Sequence, residues 1–227
     1  MGRVSNARER LIDVAIQLMR QRSYGSVGVE AVCQHAGVNK GSFYHFFPTK
    51  SELTIAALEQ FWRDYERNVL EPVFRPDVPP LERLARFFDT SFARHREIQQ
   101  RTGHVCGCLL GSLGCELSGQ EEPIRQKIEE ILARYRGYFQ RVLQDAQAEG
   151  SIEVADVPST VKALVAYMEG MLLQAKVSND MEILHELTPH VYRLIGAKGT
   201  RATPAADSWT SSQAHLDPRV PVLDFVD

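Results

Sequence analysis

Between residues 39 and 50 the chain sets out Asn39, Lys40, Gly41, Ser42, Tyr44, His45, Phe46 and Lys50, hydrogen-bonding side chains interleaved with aromatic rings. Amide, ammonium, hydroxyl and imidazole groups of this kind can bind phosphate oxygens or read base edges in a major groove, and Gly41 lets a backbone come close. A second concentration runs from Gly103 to Leu117 and holds His104, Cys106, Cys108 and Cys115. Thiols can act as nucleophiles, as redox groups or as soft metal ligands. The spacing lacks the Cys-x-x-Cys pairs of a zinc ribbon, so no metal and no other cofactor is expected.

Positioning these groups falls to helices. Apolar residues recur at helical spacing throughout, no run alternates as a strand does, and the fold class is all-α. Asn6 and Glu9 have the spacing of a capping box before a first helix whose apolar face is Leu11, Ile12, Ala15, Ile16, Leu18 and Met19. Val29, Val32, Cys33 and Ala36 make a short helix that stops at Gly37, and a second short helix covers about Asn39–Phe47. Val32, Ala36, Val38, Phe43 and Phe47 are spaced to pack both on the first. This is the pattern of a helix-turn-helix, although a plain helical hairpin with a solvated polar face has the same spacing. Gly28 stands where a helix cap is wanted, with Ser26 as the substitute. Thr49 and Glu52 form a second capping box, opening a helix to about Leu70.

Pro72, Pro76, Pro79 and Pro80 then mark a linker. Further helices are expected at about Leu81–Arg96, Cys106–Ser118, Pro123–Glu149, Pro158–Ser178 and Met181–Ile195, the last interrupted at Pro189. The domains follow: 1–50 as a three-helix head, 51–195 as a helical effector-binding and dimerisation domain, and 196–227, rich in Gly, Ala, Ser, Thr and Pro, as a disordered tail.

Bulk composition excludes several classes. With 227 residues, 44% hydrophobic and 24% charged, the chain matches ordinary globular proteins. The longest stretch without charge, Thr102–Cys115, has 14 residues and four glycines, short of the roughly 20 a membrane span needs. The first 20 residues lack the continuous apolar core of a secretion signal, and four cysteines are too few for a disulfide scaffold. The expected compartment is the cytoplasm. A net charge of −3 hides an asymmetry: residues 1–50 carry seven Lys/Arg against three acids, the remainder 19 against 26. A basic segment on an acidic body suits a small module that meets a polyanion.

The run Val38-Asn39-Lys40-Gly41-Ser42-Phe43-Tyr44-His45-Phe46-Phe47-Pro48-Thr49-Lys50-Ser51-Glu52-Leu53 resembles the signature of TetR-family transcriptional repressors, including its Tyr-x-x-Phe-x-x-Lys pattern. The resemblance covers about residues 7–53. It implies a homodimer with two DNA-binding heads, an all-α ligand domain, and release from a palindromic double-stranded operator when an effector binds. It also implies that Val29, Lys40, Gly41, Ser42, Tyr44, His45, Phe46 and Lys50 face DNA, joined here by Asn39 from its position.

The Gly-Cys-Leu-x-Gly-x-Leu element at residues 107–113 resembles that of a branch including sensors of electrophiles such as N-ethylmaleimide and quinones, and a sensor of acryloyl-CoA. Cys106 is expected at the start of a helix, where unpaired backbone N–H groups, Arg101 or a protonated His104 favour a thiolate. His104, Cys108 and Cys115 complete the effector set. Trp62, Phe88, Phe92, Leu109, Tyr167, Met168 and Met171 are expected to wall a pocket for a non-covalent ligand, though at helical spacing such residues also suit plain core. Buried inert thiols are the remaining alternative, and a thiol enzyme is the rival class. No motif supports the latter: nothing orients a Cys106/His104 pair, and His185 and His190 lie five apart, with Pro189 between them, instead of the four a zinc-protease helix needs.

Overall fold

In a computed structural model of the protein, residues 3–198 are described, and no strand occurs among them. In chain order the helices are α1 (Arg3–Gln21), α2 (Val29–Ala36), α3 (Lys40–Phe46), α4 (Lys50–Tyr65), α5 (Glu71–Val73), α6 (Pro80–Thr102), α7 (Leu109–Leu117), α8 (Glu122–Ala148), α9 (Val157–Ser178) and α10 (Leu187–Leu194). The tail expected at 196–227 lies almost wholly outside the described residues.

Contacts gather the chain into two compact units. One joins Met1–Tyr65 to Cys108–Ala133, and the other joins Glu66–Gly107 to the chain from Arg134 onward. The segment after Cys108 therefore belongs with the N-terminal helices, a grouping that a linear division at residue 50 does not express.

In the first unit, α1 buries the whole predicted face from Leu11 to Met19 against α2, α3 and α4. It begins at Arg3, earlier than the capping box proposed at Asn6; the Asn6 amide lies inside the helix and accepts from Arg10 Nη1 at 3.3 Å. Helix α2 stops because Gly37 turns left-handed (φ 61°) and its N–H reaches back to Cys33 and Gln34 carbonyls. At its other end Gly28 is the N-cap and offers no side chain, while the Ser26 hydroxyl donates to Ser23 O instead of capping α2. Helix α4 opens as expected, with Glu52 N–H donating to Thr49 Oγ1 at 3.1 Å. It does not run evenly to Leu70: Glu66–Leu70 is a π-helical turn, and α5 follows it.

In the second unit, α6 starts with Pro80 in its first turn, where a missing N–H costs nothing, and outruns its expected end to stop at left-handed Gly103 (φ 75°). Its core is aromatic. Phe87 meets Phe139 edge-on at 5.1 Å between ring centroids and lies 5.4 Å from Phe74, the tilted geometry that aromatic quadrupoles favour. Arg83 is buried but satisfied, with Nε donating to Val78 O, Nη2 to Pro76 O and Nη1 to Asp145 at 2.6 Å. Pro189 does not break the last helix. A short 3-10 turn, Glu182–Glu186, precedes α10, and Pro189 falls in the first turn of α10.

Candidate nucleic-acid interface

Helix α3 is short, and its orientation is set by two aromatic residues four apart. Phe43 is fully buried and Phe47 nearly so, and their rings lie 6.1 Å apart. With that face fixed inward, Asn39, Lys40, Gly41, Tyr44 and His45 are exposed and Ser42 and Phe46 are half-exposed, so the 39–46 edge points outward together. Tyr44 is 55% exposed although it stacks edge-on against Phe43 at 5.1 Å. A large exposed aromatic hydroxyl held against a buried ring is a pre-oriented donor.

Three members of the predicted set have additional structural partners. Asn39 is the N-cap of α3, its Oδ1 accepting from Ser42 N at 2.7 Å. Its oxygen therefore closes the helix, which leaves the amide N–H groups for a ligand. A side chain at Gly41 would press on that cap, since a Cβ there would lie 3.3 Å from Asn39 Oδ1. Lys40 Nζ lies 3.2 Å from Glu30 on α2, with both side chains largely exposed, a pair that phosphate can replace at little expense.

Lys50 differs most from expectation. Its ammonium is turned inward, donating to Tyr24 O at 2.8 Å and Val27 O at 3.1 Å and lying 3.6 Å over the Tyr24 ring. Burial pushes its pKa below the usual lysine value, opposed by the Glu116 and Glu121 carboxylates. Val29, at the start of α2, is half-buried.

Arg8 stacks over Phe47 at 5.3 Å and Arg10 Nε donates to Ala36 O at 3.0 Å, so these two cations brace the helices as well as charging the head.

The thiol segment divides between the units after Gly107. Cys108, not Cys106, stands at the start of α7: its Sγ accepts from Gly111 N at 3.4 Å, and Cys106 precedes the helix by two residues. A helix N-terminus therefore does not act on Cys106 directly. What positions Cys106 is Asn179, the left-handed C-cap of α9 (φ 51°). Its Oδ1 accepts from Val105 N at 2.9 Å and its Nδ2 donates to Gly103 O at 3.0 Å, which pins the loop on both sides of the exposed His104. Cys106 is half-exposed there, next to Gly107, whose left-handed backbone (φ 70°) runs against Lys176 so closely that a Cβ would lie 3.0 Å from Lys176 Cδ. Neither Asn179 nor Lys176 could be singled out in the sequence, because each is some 70 residues from the segment it touches.

Cys108 is half-exposed and Cys115 exposed. Among the described residues no three His, Cys, Asp or Glu side chains gather as metal ligands.

The expected pocket residues divide between the two units. Trp62 and Leu109 lie in the first unit, and Phe88, Phe92, Tyr167, Met168 and Met171 in the second. Phe88, Phe92 and Met168 are core, and Tyr167 and Met171 are half-exposed. Tyr167 gives its hydroxyl to a 2.7 Å hydrogen bond with His190 Nδ1. Trp62 is fully buried, yet its indole N–H has no partner.

No described helix is long and apolar enough to cross a membrane.

Residues 11–57 match the family model "Bacterial regulatory proteins, tetR family", and residues 80–191 match "Tetracyclin repressor-like, C-terminal domain". The transcriptional regulator AcuR of Cereibacter sphaeroides is 29% identical over 188 residues, covering 81% of this chain and 83% of its own. The HTH-type transcriptional repressor NemR of Escherichia coli K12 is 26% identical over 204 residues, covering 88% of this chain and 96% of its own. The crystal structure of a regulatory protein TetR from Rhodobacter sphaeroides superposes with a TM-score of 0.73 at 29% identity, over 83% of this chain and 98% of that one.

Proposed function

The chain belongs to the TetR family of bacterial transcriptional regulators, and from that premise we propose that it acts as a homodimeric repressor released from a palindromic operator when a small molecule or electrophile acts near Cys106. That it is a DNA-binding transcriptional regulator with a helix-turn-helix follows from the family. The observation that carries the reading is the outward edge of α3, held by buried Phe43 and Phe47 while Lys40, Tyr44 and His45 face solvent.

In this reading α3 enters a major groove. Lys40, Ser42, Tyr44 and His45 make the direct contacts, Gly41 and Phe46 approach the backbone, Val29 and Asn39 flank them, and Lys50 acts largely by holding the turn beneath. Two heads about 34–36 Å apart meet successive grooves of a palindrome. Residues 51–195 would bind effector and dimerise. Leu173 and Val177, one turn apart on α9 and 60% and 78% exposed, with Leu194 on α10, support a dimer face built from these two helices. The names of the relatives as transcriptional regulators support a non-catalytic role, and a DNA operator as partner supports a cytoplasmic place of work.

Release requires that the effector favour one head arrangement over the other, because equal affinity for both shifts nothing. Cys106 suits this role, since it is half-exposed in a loop pinned to α9 and leads directly into α7. The test is a gel shift on the DNA upstream of its own gene, with and without N-ethylmaleimide, beside intact-mass measurement. Wild type should lose the DNA and carry one adduct more than Cys106→Ser. Cys106→Ser should bind equally well and stay bound. A Cys106→Ser protein that responds as wild type does would exclude covalent sensing at Cys106.

One observation favours a second reading. The buried Trp62 indole N–H has no partner, and a non-covalent ligand such as an acyl thioester, carrying a carbonyl acceptor, would satisfy it.

A further inference from the structure

Helix α7 ends in an arrangement that the head needs and the signature motif does not contain. Glu116, in its last turn, accepts from Tyr24 N at 2.8 Å through Oε2 and from Gly25 N at 2.9 Å through Oε1. The two N–H groups open the 3-10 turn Tyr24–Ser26 and so have no partner within that turn. A carboxylate near a helix C-terminus is in the wrong place for its own helix dipole, and α7 carries no basic residue in its last turn to offset it. The compensation comes from the head: two backbone donors, and the Lys50 ammonium, whose charged form the Glu116 field favours.

The same turn is also held through its carbonyls. Lys50, the first residue of α4, holds the carbonyls of Tyr24 and Val27, and the Lys50 carbonyl accepts from Thr54 Oγ1 at 2.8 Å. The turn then passes through Val27 directly into Gly28, the N-cap of α2, which has no side-chain cap of its own. The start of the support helix is therefore located by the turn before it, and the turn by Glu116 and Lys50.

At its other end α7 is capped by Cys108, and Leu109, Leu110, Leu113 and Leu117 bury its inner face. It is a rod of nine residues, about 13 Å long at 1.5 Å per residue, from the thiol segment to the head.

We propose that Glu116 is a positioning residue for operator recognition: its carboxylate, carried by α7, holds the turn that fixes where α2 and hence α3 stand. The inference rests on the DNA-binding role of the head and not on chemistry at Cys106.

The experiment uses the full chain and a duplex selected by the wild type from a random pool, with a non-selected duplex of equal length beside it. Glu116→Ala should weaken binding to the selected duplex about tenfold, and Glu116→Gln, which keeps one acceptor oxygen, by a smaller factor. Binding to the non-selected duplex and its salt slope should not move, because phosphate contacts are untouched. Amide exchange at Tyr24 and Gly25 should quicken about tenfold in Glu116→Ala while the protection of α1 stays as in wild type. Glu149→Ala, which removes an exposed carboxylate just past the end of α8, should match wild type on every count when run in parallel.

Selected-duplex affinity within about twofold of wild type in both variants would overturn the proposal, as would equal loss on both duplexes or unchanged exchange at the two amides. A wild type that selects no duplex would instead sink the DNA-binding reading, and the exchange at Tyr24 and Gly25 would still decide whether Glu116 holds the turn.

Discussion

Helices α3 and α7 are built alike and used differently. Each is short, seven and nine residues, and each is opened by a side-chain cap, Asn39 for one and Cys108 for the other. Each buries large side chains at four-residue spacing, Phe43 and Phe47 against Leu109, Leu113 and Leu117. The difference lies in the remaining face. On α3 it is a set of donors turned to solvent, suited to a partner outside the molecule. On α7 it is mostly glycine, serine and cysteine, with one carboxylate turned back onto the protein's own turn at residues 24–25. A helix that recognises must display its chemistry, while a helix that transmits must attach it to something else.

The largest effects should come from the shared part of the plan. Phe43→Ala removes a fully buried ring and should cost about 3–5 kcal/mol, and Leu113→Ala on α7 about 2–5 kcal/mol. Urea unfolding with tryptophan and circular-dichroism readouts measures both. If Leu113→Ala proved as mild as a surface substitution, α7 would not be the rod that the comparison requires. Tyr44→Ala comes next and separates the outer faces. It touches little core, so stability should hold, and operator binding should weaken about tenfold, roughly 1.4 kcal/mol. The analogous deletion on α7, Ser112→Ala, should leave operator binding within about twofold.

The caps sharpen the contrast further. An amide oxygen at 2.7 Å is a strong cap, whereas a sulfur at 3.4 Å is a weak acceptor. Asn39→Ala should therefore cost about 1 kcal/mol, and Cys108→Ser should change stability by only a few tenths. A Cys108→Ser variant that is badly destabilised would mean that the thiol does more than cap.

How much of this could be read in the sequence follows the same division. The α3 edge was legible because one local string carries both its burial pattern, Phe43 to Phe47, and its exposed chemistry, and because Gly37 and Thr49 mark its neighbours unmistakably. The helical class was legible for the same reason. What could not be read depends on partners distant in the chain. Glu116 is an ordinary polar residue until Tyr24 and Gly25 arrive beside it, and Asn179 an ordinary helix end until Gly103 and Val105 do. Lys50 is expected to face DNA from its place in the motif, and the turn it grips is 23 to 26 residues away. The sequence predicts the start of α7 at Cys106, since a run of small residues carries no boundary signal; the left-handed Gly107 delays the helix to Leu109.

The smallest expected effect tests the turn between the two helices by pH. Lys50 has its pKa lowered from 10.5, first by burial, so the folded state gives up this proton at lower pH than the unfolded state does. Between the two values unfolding takes up a proton, and stability must rise with pH across that window, the reverse of a lysine held above its ordinary value by an ion pair. Tyr24, whose ring lies under the ammonium, has its pKa raised from 10.0, again first by burial. Its contribution is present below pH 10 and is lost above it, as pH climbs through the folded value. The two titrations therefore oppose each other near pH 10 and separate only below it. Because Lys50 is partly exposed, the slope corresponds to well under one proton, so it is best read as a difference between wild type and Lys50→Met. Urea unfolding from about pH 8 to pH 10 should show wild type gaining stability relative to Lys50→Met. A flat difference would mean that Lys50 stays hydrated in the folded protein and holds the turn less tightly than its hydrogen bonds to Tyr24 and Val27 imply, and a falling one that Glu116 and Glu121 outweigh burial.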